Sequence, residues 1–261
     1  MSRKRTGTNL PPPFLKRISL LPERIAGRKE YPFNLPWLAD PEFELDFTAA
    51  VTIIVNEIGT GKSTLIEALA GLSGYDEAGG GKGYRTVDHS RAIDTSGSAL
   101  GEVMRAAWLP KVTNGWFFKA ESFFSVARYL DEAARDGGGP PPDYLTESHG
   151  EWFLRFFEER LSRQGIYFLD EPESALSPKR QLQLLQILNR IQSQGRAQVI
   201  MATHSPLLMA LPDAQVLEIS KAGFALTDYR QTRHFKLYQA FTADPRGFID
   251  DAIADDDTGL F

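Results

Sequence analysis

At 261 residues, with 42% hydrophobic and 24% charged side chains, the chain has ordinary globular composition and is long enough to bury a large core, which argues against extensive disorder. It has no cysteine, which excludes disulfides, thiolate chemistry and Cys-based zinc sites, and its four histidines argue against a His-rich metal site. A formal charge of −5 provides no global attraction to nucleic acid or anionic lipid, and no apolar run approaches the roughly 20 residues of a membrane-spanning helix.

Residues 1–13 are basic at Met1–Arg5 and then proline-rich. They read as a flexible lead-in without the apolar stretch of a secretory signal, so the expected location is cytoplasmic. Phe14–Leu21 alternates as a strand does. Pro22, Pro32, Pro36 and Pro41 predict an irregular path over 22–41. Phe43–Phe47 has the period of a half-buried strand. Val51–Val55 does not alternate and predicts a strand covered on both faces, as in a parallel sheet. Thr64–Gly71 has helical composition and ends at glycine.

Residues 72–147 differ in texture. Glycine-rich Gly79–Gly83 and Gly137–Pro142 frame a candidate helix at Leu100–Ala107, a candidate strand at Trp116–Phe118 and a candidate helix at Phe123–Ala134. This pattern predicts an inserted, partly helical subdomain. Alternation then resumes, with a helix over Glu151–Ser162 and a buried strand over Ile166–Leu169. A helix follows over Pro178–Gln192, with Ser177 as its cap and Leu182, Leu184, Leu185, Ile187, Leu188 and Ile191 on its apolar face. Gln198–Ala202, Gln215–Ile219 and Phe224–Thr227 read as strands and His234–Phe241 as a helix. The expected architecture is α/β with a largely parallel core sheet: one domain over 14–245, then an acidic, frayed tail over 246–261.

Gly59-Thr60-Gly61-Lys62-Ser63-Thr64 stands between a buried strand and a helix, the context a phosphate-binding loop requires. Amides of the loop and of the helix N-terminus favour negative charge at one point. Lys62 adds a cation for β- and γ-phosphates, and the Ser63 hydroxyl is a candidate Mg²⁺ ligand. Asn56 takes the place of the motif's first glycine, and β-branched Ile58 lies within the loop. The expectation is that both weaken nucleotide binding.

Ile166–Leu169 ends in Asp170 and Glu171. At the C-terminal edge of a parallel sheet, Asp170 can hold Mg²⁺ through water, and Glu171 can orient or deprotonate an attacking water. Thr203-His204-Ser205 follows another core strand and belongs at the same edge. Ser148, His149, Gly150 and Glu151 precede a helix, where Ser148 reads equally as an N-cap or as part of an anion site.

The order of these motifs resembles the ATP-binding cassette (ABC-type) P-loop ATPases over about residues 14–245. The chain looks most like small stand-alone bacterial ATPases of an AAA/ABC-like group related to the heads of chromosome-maintenance and repair proteins. The tracts Tyr31–Pro36, Phe117–Phe124 and Thr232–Phe235 are also similar to that group. The resemblance implies that ATP and Mg²⁺ are bound and ATP is hydrolysed. It matches Gly59, Gly61, Lys62, Ser63 and Thr64 to Walker A, Asp170 and Glu171 to Walker B with its catalytic glutamate, and His204 to the switch histidine. Ser174–Leu176 matches the loop that contacts an opposite subunit, and Ser148–Glu151 stands in the place of the signature. Glu121 occupies the place of the Q-loop glutamine, with Mg²⁺ as its contact. Tyr31 and Phe33 are the adenine-stacking candidates.

The resemblance also implies a head-to-tail homodimer enclosing ATP. The outputs it leaves open are DNA maintenance, defence or action on another protein. Two alternatives are an ATP-binding subunit of a membrane transporter and a nucleotide-binding scaffold with impaired hydrolysis. The unusual signature counts against the first and Glu171 against the second. Arg24, Arg28 and Lys29 are a candidate nucleic-acid contact, read here as solvated surface charge because the overall balance is acidic.

Overall fold

A computed structural model of the chain describes residues 8–56, 59–77, 79–81, 96–112, 114–120, 149–221 and 223–254, and of residues 149–152 the backbone alone. Ten strands are present among the described residues. They are β1 (Leu15–Leu20), β2 (Glu44–Asp46), β3 (Val51–Val55), β4 (Gly80–Gly81), β5 (Met104–Trp108), β6 (Gly115–Lys119), β7 (Gly165–Asp170), β8 (Ala197–Ala202), β9 (Gln215–Ser220) and β10 (Gly223–Leu226). The main sheet has the order β10-β9-β3-β8-β7-β6-β4, and a smaller antiparallel sheet has the order β2-β1-β5. From β9 to β6 all neighbours are parallel, while β10 and β4 close the edges antiparallel.

The helices are α1 (Pro22–Ile25), α2 (Lys62–Ser73), α3 (Ser96–Glu102), α4 (His149–Leu161), α5 (Pro178–Gln194), α6 (Pro206–Met209), α7 (Arg233–Ala243) and α8 (Pro245–Ala254). The central strands send alternate residues into two cores. Val51, Ile53, Val55, Tyr167, Leu169, Val199 and Met201 pack against α4 and α5. Ile54, Ile166, Phe168, Ile200 and Ala202 pack toward α2 and the small sheet. With apolar layers on both sides, the strands have no polar face, which explains their unbroken hydrophobic runs.

Two buried glutamines join the sheets. Gln198 on β8 accepts from the amides of Phe14 and Leu15, both at 2.8 Å, and donates to the Leu15 carbonyl at 3.0 Å. Gln215 on β9 accepts from the Thr48 amide and the Thr52 hydroxyl and donates to the Asp46 carbonyl. Each saturates backbone groups where a strand has no neighbour to pair with.

Several elements depart from the sequence expectation. Leu100–Ala107 is the end of α3 followed by β5, and β5 pairs with β1. Leu, Met, Arg and Ala there favour helix, and pairing with β1 overrides that preference. The described parts of 72–147 therefore contribute strands to both sheets. Residues 246–254, expected as frayed tail, form most of α8. The Asp244 carboxylate accepts from the Gly247 amide at 3.0 Å, and Pro245 opens the helix. On α5 the buried residues are Leu184, Ile187, Leu188 and Ile191, whereas Leu182 is exposed. Ser177 is the α5 N-cap, but its side chain makes no cap bond. Phe123–Ala134 lies outside the described residues.

Candidate functional site

Because β3, β7 and β8 run parallel, the chain leaves all three at the same edge of the sheet. Backbone bonds hold the exits together. The Glu171 amide donates to the Ala202 carbonyl at 3.0 Å, and the Thr203 amide donates to the Ile54 carbonyl at 3.3 Å. This edge carries Asn56, Asp170, Glu171 and His204, and α2 begins there at Lys62.

The loop between β3 and α2 turns through two left-handed glycines, Gly59 and Gly61, each at φ +85°. The left-handed backbone requires glycine at Gly61, where a Cβ would also push against the Leu35 methyls at 2.8 Å. The stretch before β2, expected as irregular but carrying α1 and a 3₁₀ turn at Pro36–Ala39, clamps this loop. The Trp37 indole donates to the Thr60 carbonyl at 3.2 Å, and the Tyr31 hydroxyl bonds the Thr64 hydroxyl. Lys62 is buried and donates from Nζ to the Asn56 carbonyl.

The Ser63 hydroxyl donates to Asp170 Oδ1 at 3.1 Å. Asp170 is pushed up to about 7, chiefly by burial and then by the Glu171 charge, with Lys119 opposing the shift. Lys119 ends β6 directly across from Asp170, and its ammonium lies 2.6 Å from Glu67 Oε1 on α2. The Glu67 side chain is only 6% exposed, so this pair is substantially desolvated.

Glu171 has left-handed backbone, at φ 47° and ψ 54°, an unusual state for a residue with a side chain. Its carbonyl accepts from both the amide and the hydroxyl of Ser174, which ties it into a single 3₁₀ turn, Pro172–Ala175. His204 Nε2 lies 3.3 Å from Glu171 Oε1. That contact is the main reason the Glu171 carboxyl is held below its ordinary range, with His204 charge and Lys62 adding to it against the opposing cost of burial. The His204 amide donates to Glu173 Oε1 at 2.5 Å, while burial pushes the Glu173 carboxyl up. On its far side, His204 Nδ1 lies 3.0 Å from His234 Nε2.

The structure thus brings Asn56, Gly59, Thr60, Gly61, Lys62, Ser63, Thr64, Asp170, Glu171 and His204 to one edge. Gly150 lies in α4, and Ser174 is exposed on the turn after Glu171. Ile58, Glu121 and Ser148 lie outside the described residues. Phe33 is buried with the Arg28 guanidinium 4.6 Å from its ring centroid, so it offers no open stacking face. Of the basic cluster, Arg24 bonds the Glu102 carbonyl and Arg28 covers Phe33.

Sequence reasoning missed Lys119, Glu67 and His234. Glu67 did carry a signal: an acid within the apolar run Leu65–Ala70 requires a buried partner. Nothing local announced Lys119 as that partner.

Residues 151–210 match a family model described as "AAA domain, putative AbiEii toxin, Type IV TA system". The matched stretch includes Asp170, Glu171 and His204. Three solved structures are similar at low identity. One, titled as a "putative metal-chelate type ABC transporter" in an inward-facing conformation, shares 17% identity and a TM-score of 0.47 over 84% of each chain. The cbiO1 protein of Clostridium perfringens, part of the ABC transporter complex cbiONQ, shares 14% and 0.47 over 90% of this chain and 97% of its own. The SMC head domain of Thermotoga maritima shares 14% and 0.42 over 82% and 98%. Among the described residues no helix is long and apolar enough to cross a membrane. The fold is α/β, built on a mostly parallel central sheet.

Proposed function

We propose that the chain is a P-loop ATPase of ABC/AAA-like type, which binds ATP with Mg²⁺ and hydrolyses it to ADP and phosphate. The observation that carries this reading is the convergence of the Lys62 loop, the Ser63–Asp170 bond and the Glu171–His204 contact on one sheet edge. The donor set suits a small, hard cation. A hydroxyl and a carboxylate already meet at 3.1 Å, and a carboxyl whose charge is opposed by burial gains most from a nearby cation. Ser63 and Asp170 would hold Mg²⁺, which supplies charge neutralisation for the phosphates. Lys62 and the loop amides bind the triphosphate. Glu171, kept ionised by His204, orients the attacking water and accepts its proton as the new bond to phosphorus forms. His204 donates from Nε2 to the Glu171 carboxylate.

We further propose that two copies enclose ATP head to tail, with Ser148 and Gly150 of one copy facing the phosphate loop of the other. Ser174 supports this arrangement, since it is exposed on the turn that leaves Glu171. Phosphate release with Mg·ATP tests the hydrolytic reading. The parent is expected to turn over, and Glu171→Gln to be slower by about a hundredfold or more. Equal, negligible rates in both would remove hydrolysis from the reading. Sedimentation of Glu171→Gln at saturating ATP tests the assembly, and a monomer there refutes it.

A further inference from the structure

We infer that His234 is a positioning residue for His204, fixing both the tautomer and the ring orientation in which His204 meets Glu171. Its consequence for turnover rests on the hydrolytic reading above.

A carboxylate can only accept a hydrogen bond, so the proton between His204 and Glu171 sits on His204 Nε2, across 3.3 Å. In the neutral ring that leaves the lone pair on Nδ1, and Nδ1 faces His234 Nε2 at 3.0 Å. His234 Nε2–H then donates to it. Should His204 take a second proton, the direction reverses and Nδ1–H donates to a His234 lone pair. The contact survives in both states, because imidazole offers a donor or an acceptor as required. A 180° turn of the His204 ring would exchange each nitrogen for a carbon and break both bonds at once. The two rings meet edge to edge in hydrogen-bond geometry, with centroids 5.1 Å apart and planes at 57°, so stacking is not what holds them.

The backbone on both sides is anchored independently. The His204 amide donates to Glu173, and the Ser205 hydroxyl donates to Gln181 at 2.6 Å. His234 is the second residue of α7. The helix is capped by buried Thr232, whose hydroxyl accepts from the Phe235 amide and donates to the Tyr229 carbonyl at 2.6 Å. Two fixed backbones thus present one ring to the other. Of the contacts that orient the His204 ring toward Glu171, the one on the Nδ1 side comes from a helix whose sequence lies 30 residues downstream.

The test compares His234→Ala, His234→Gln, His204→Ala and the His204→Ala/His234→Ala double variant, with melting curves to confirm folding. Phosphate release is measured across ATP concentration, and long-range imidazole ¹H–¹⁵N spectra are recorded on the full chain. The chain has four histidines, and His204→Ala identifies the relevant signals by their loss. His234→Ala is expected to lower kcat by about tenfold, the worth of one hydrogen bond to a working group, with KM changed by less than about twofold. His234→Gln, whose amide can donate to Nδ1, is expected to recover most of that loss. The double variant should be no slower than His204→Ala. In the spectra, His204 of the parent should be the Nε2–H tautomer with an accepting Nδ1, and His234→Ala should alter that pattern. A His234→Ala variant with parental kcat, a Gln variant as slow as Ala, or additive losses in the double variant would overturn the inference. So would unchanged His204 signals in His234→Ala. A parent that releases no phosphate refutes the hydrolytic reading instead, and the spectra alone then decide the role of His234.

Discussion

Asp170→Asn should stabilise the protein without ligand at pH 8, and the gain should vanish as pH falls toward 5. The Asp170 carboxyl is raised from 3.8 to about 7, with burial the largest cause. A raised folded-state value means that the native state binds the proton more tightly than the unfolded chain does. The resulting stability is fully present below about pH 4 and is lost as pH rises through about 7. Three units correspond to about 4 kcal/mol, an upper bound for the cost of ionising this group in the fold. Asparagine carries no such cost. Its Oδ1 can still accept from Ser63, but its amide brings a donor into a buried site, a penalty of about 1–2 kcal/mol. The variant should therefore be near neutral or slightly destabilised at pH 5 and more stable than the parent by about 1–3 kcal/mol at pH 8. Urea unfolding at half-unit steps from pH 5 to 8, without magnesium or nucleotide, reads the difference directly, since groups common to both proteins cancel. The reasoning fails if the difference is flat across that range or if the variant is the less stable protein at pH 8.

Four further outcomes are expected. Glu67→Ala leaves the Lys119 ammonium without its carboxylate and should cost about 2–4 kcal/mol, less than a fully buried pair because the Lys119 side chain keeps 21% exposure. Glu67→Leu with Lys119→Met should recover most of the loss in chemical denaturation, and a single-variant cost below about 0.5 kcal/mol would mark the pair as inert. Gly115→Ala should destabilise by about 3–5 kcal/mol, because φ is +144° and the new Cβ would lie 1.7 Å from the Ile166 carbonyl oxygen; an unchanged melting temperature contradicts this. Trp37→Phe removes the indole donor to Thr60 and should weaken ATP binding by about threefold to tenfold in titration calorimetry while the fold survives. Mg·ATP at a hundred times its Kd should stabilise the parent by about 2.7 kcal/mol, seen as a rise in melting temperature that Lys62→Ala or chelation of magnesium abolishes.

The tight turn at Gly59–Thr64 is legible because glycine and lysine there answer to local rules. Gly59 and Gly61 occupy left-handed backbone, and Lys62 opens a helix. Strand ends bearing Asp170 and His204 could be assigned to one edge once the strands were read as parallel. Leu100–Ala107 has the composition of a helix, and pairing with β1 overrides it from Met104 onward. Residues 246–254 were read as tail on their acids, while the cap formed by Asp244 with Pro245 outweighed them.

By itself the sequence determined most of the strands and helices and which residue types could handle a phosphate, since periodicity and backbone sterics act within a few residues. Tertiary structure alone decided that β3 lies between β8 and β9, that Lys119 meets Glu67, and that His204 rests on His234. Those pairings join segments far apart in the chain. They follow from how apolar faces pack and how buried polar groups find partners, and no local pattern encodes either.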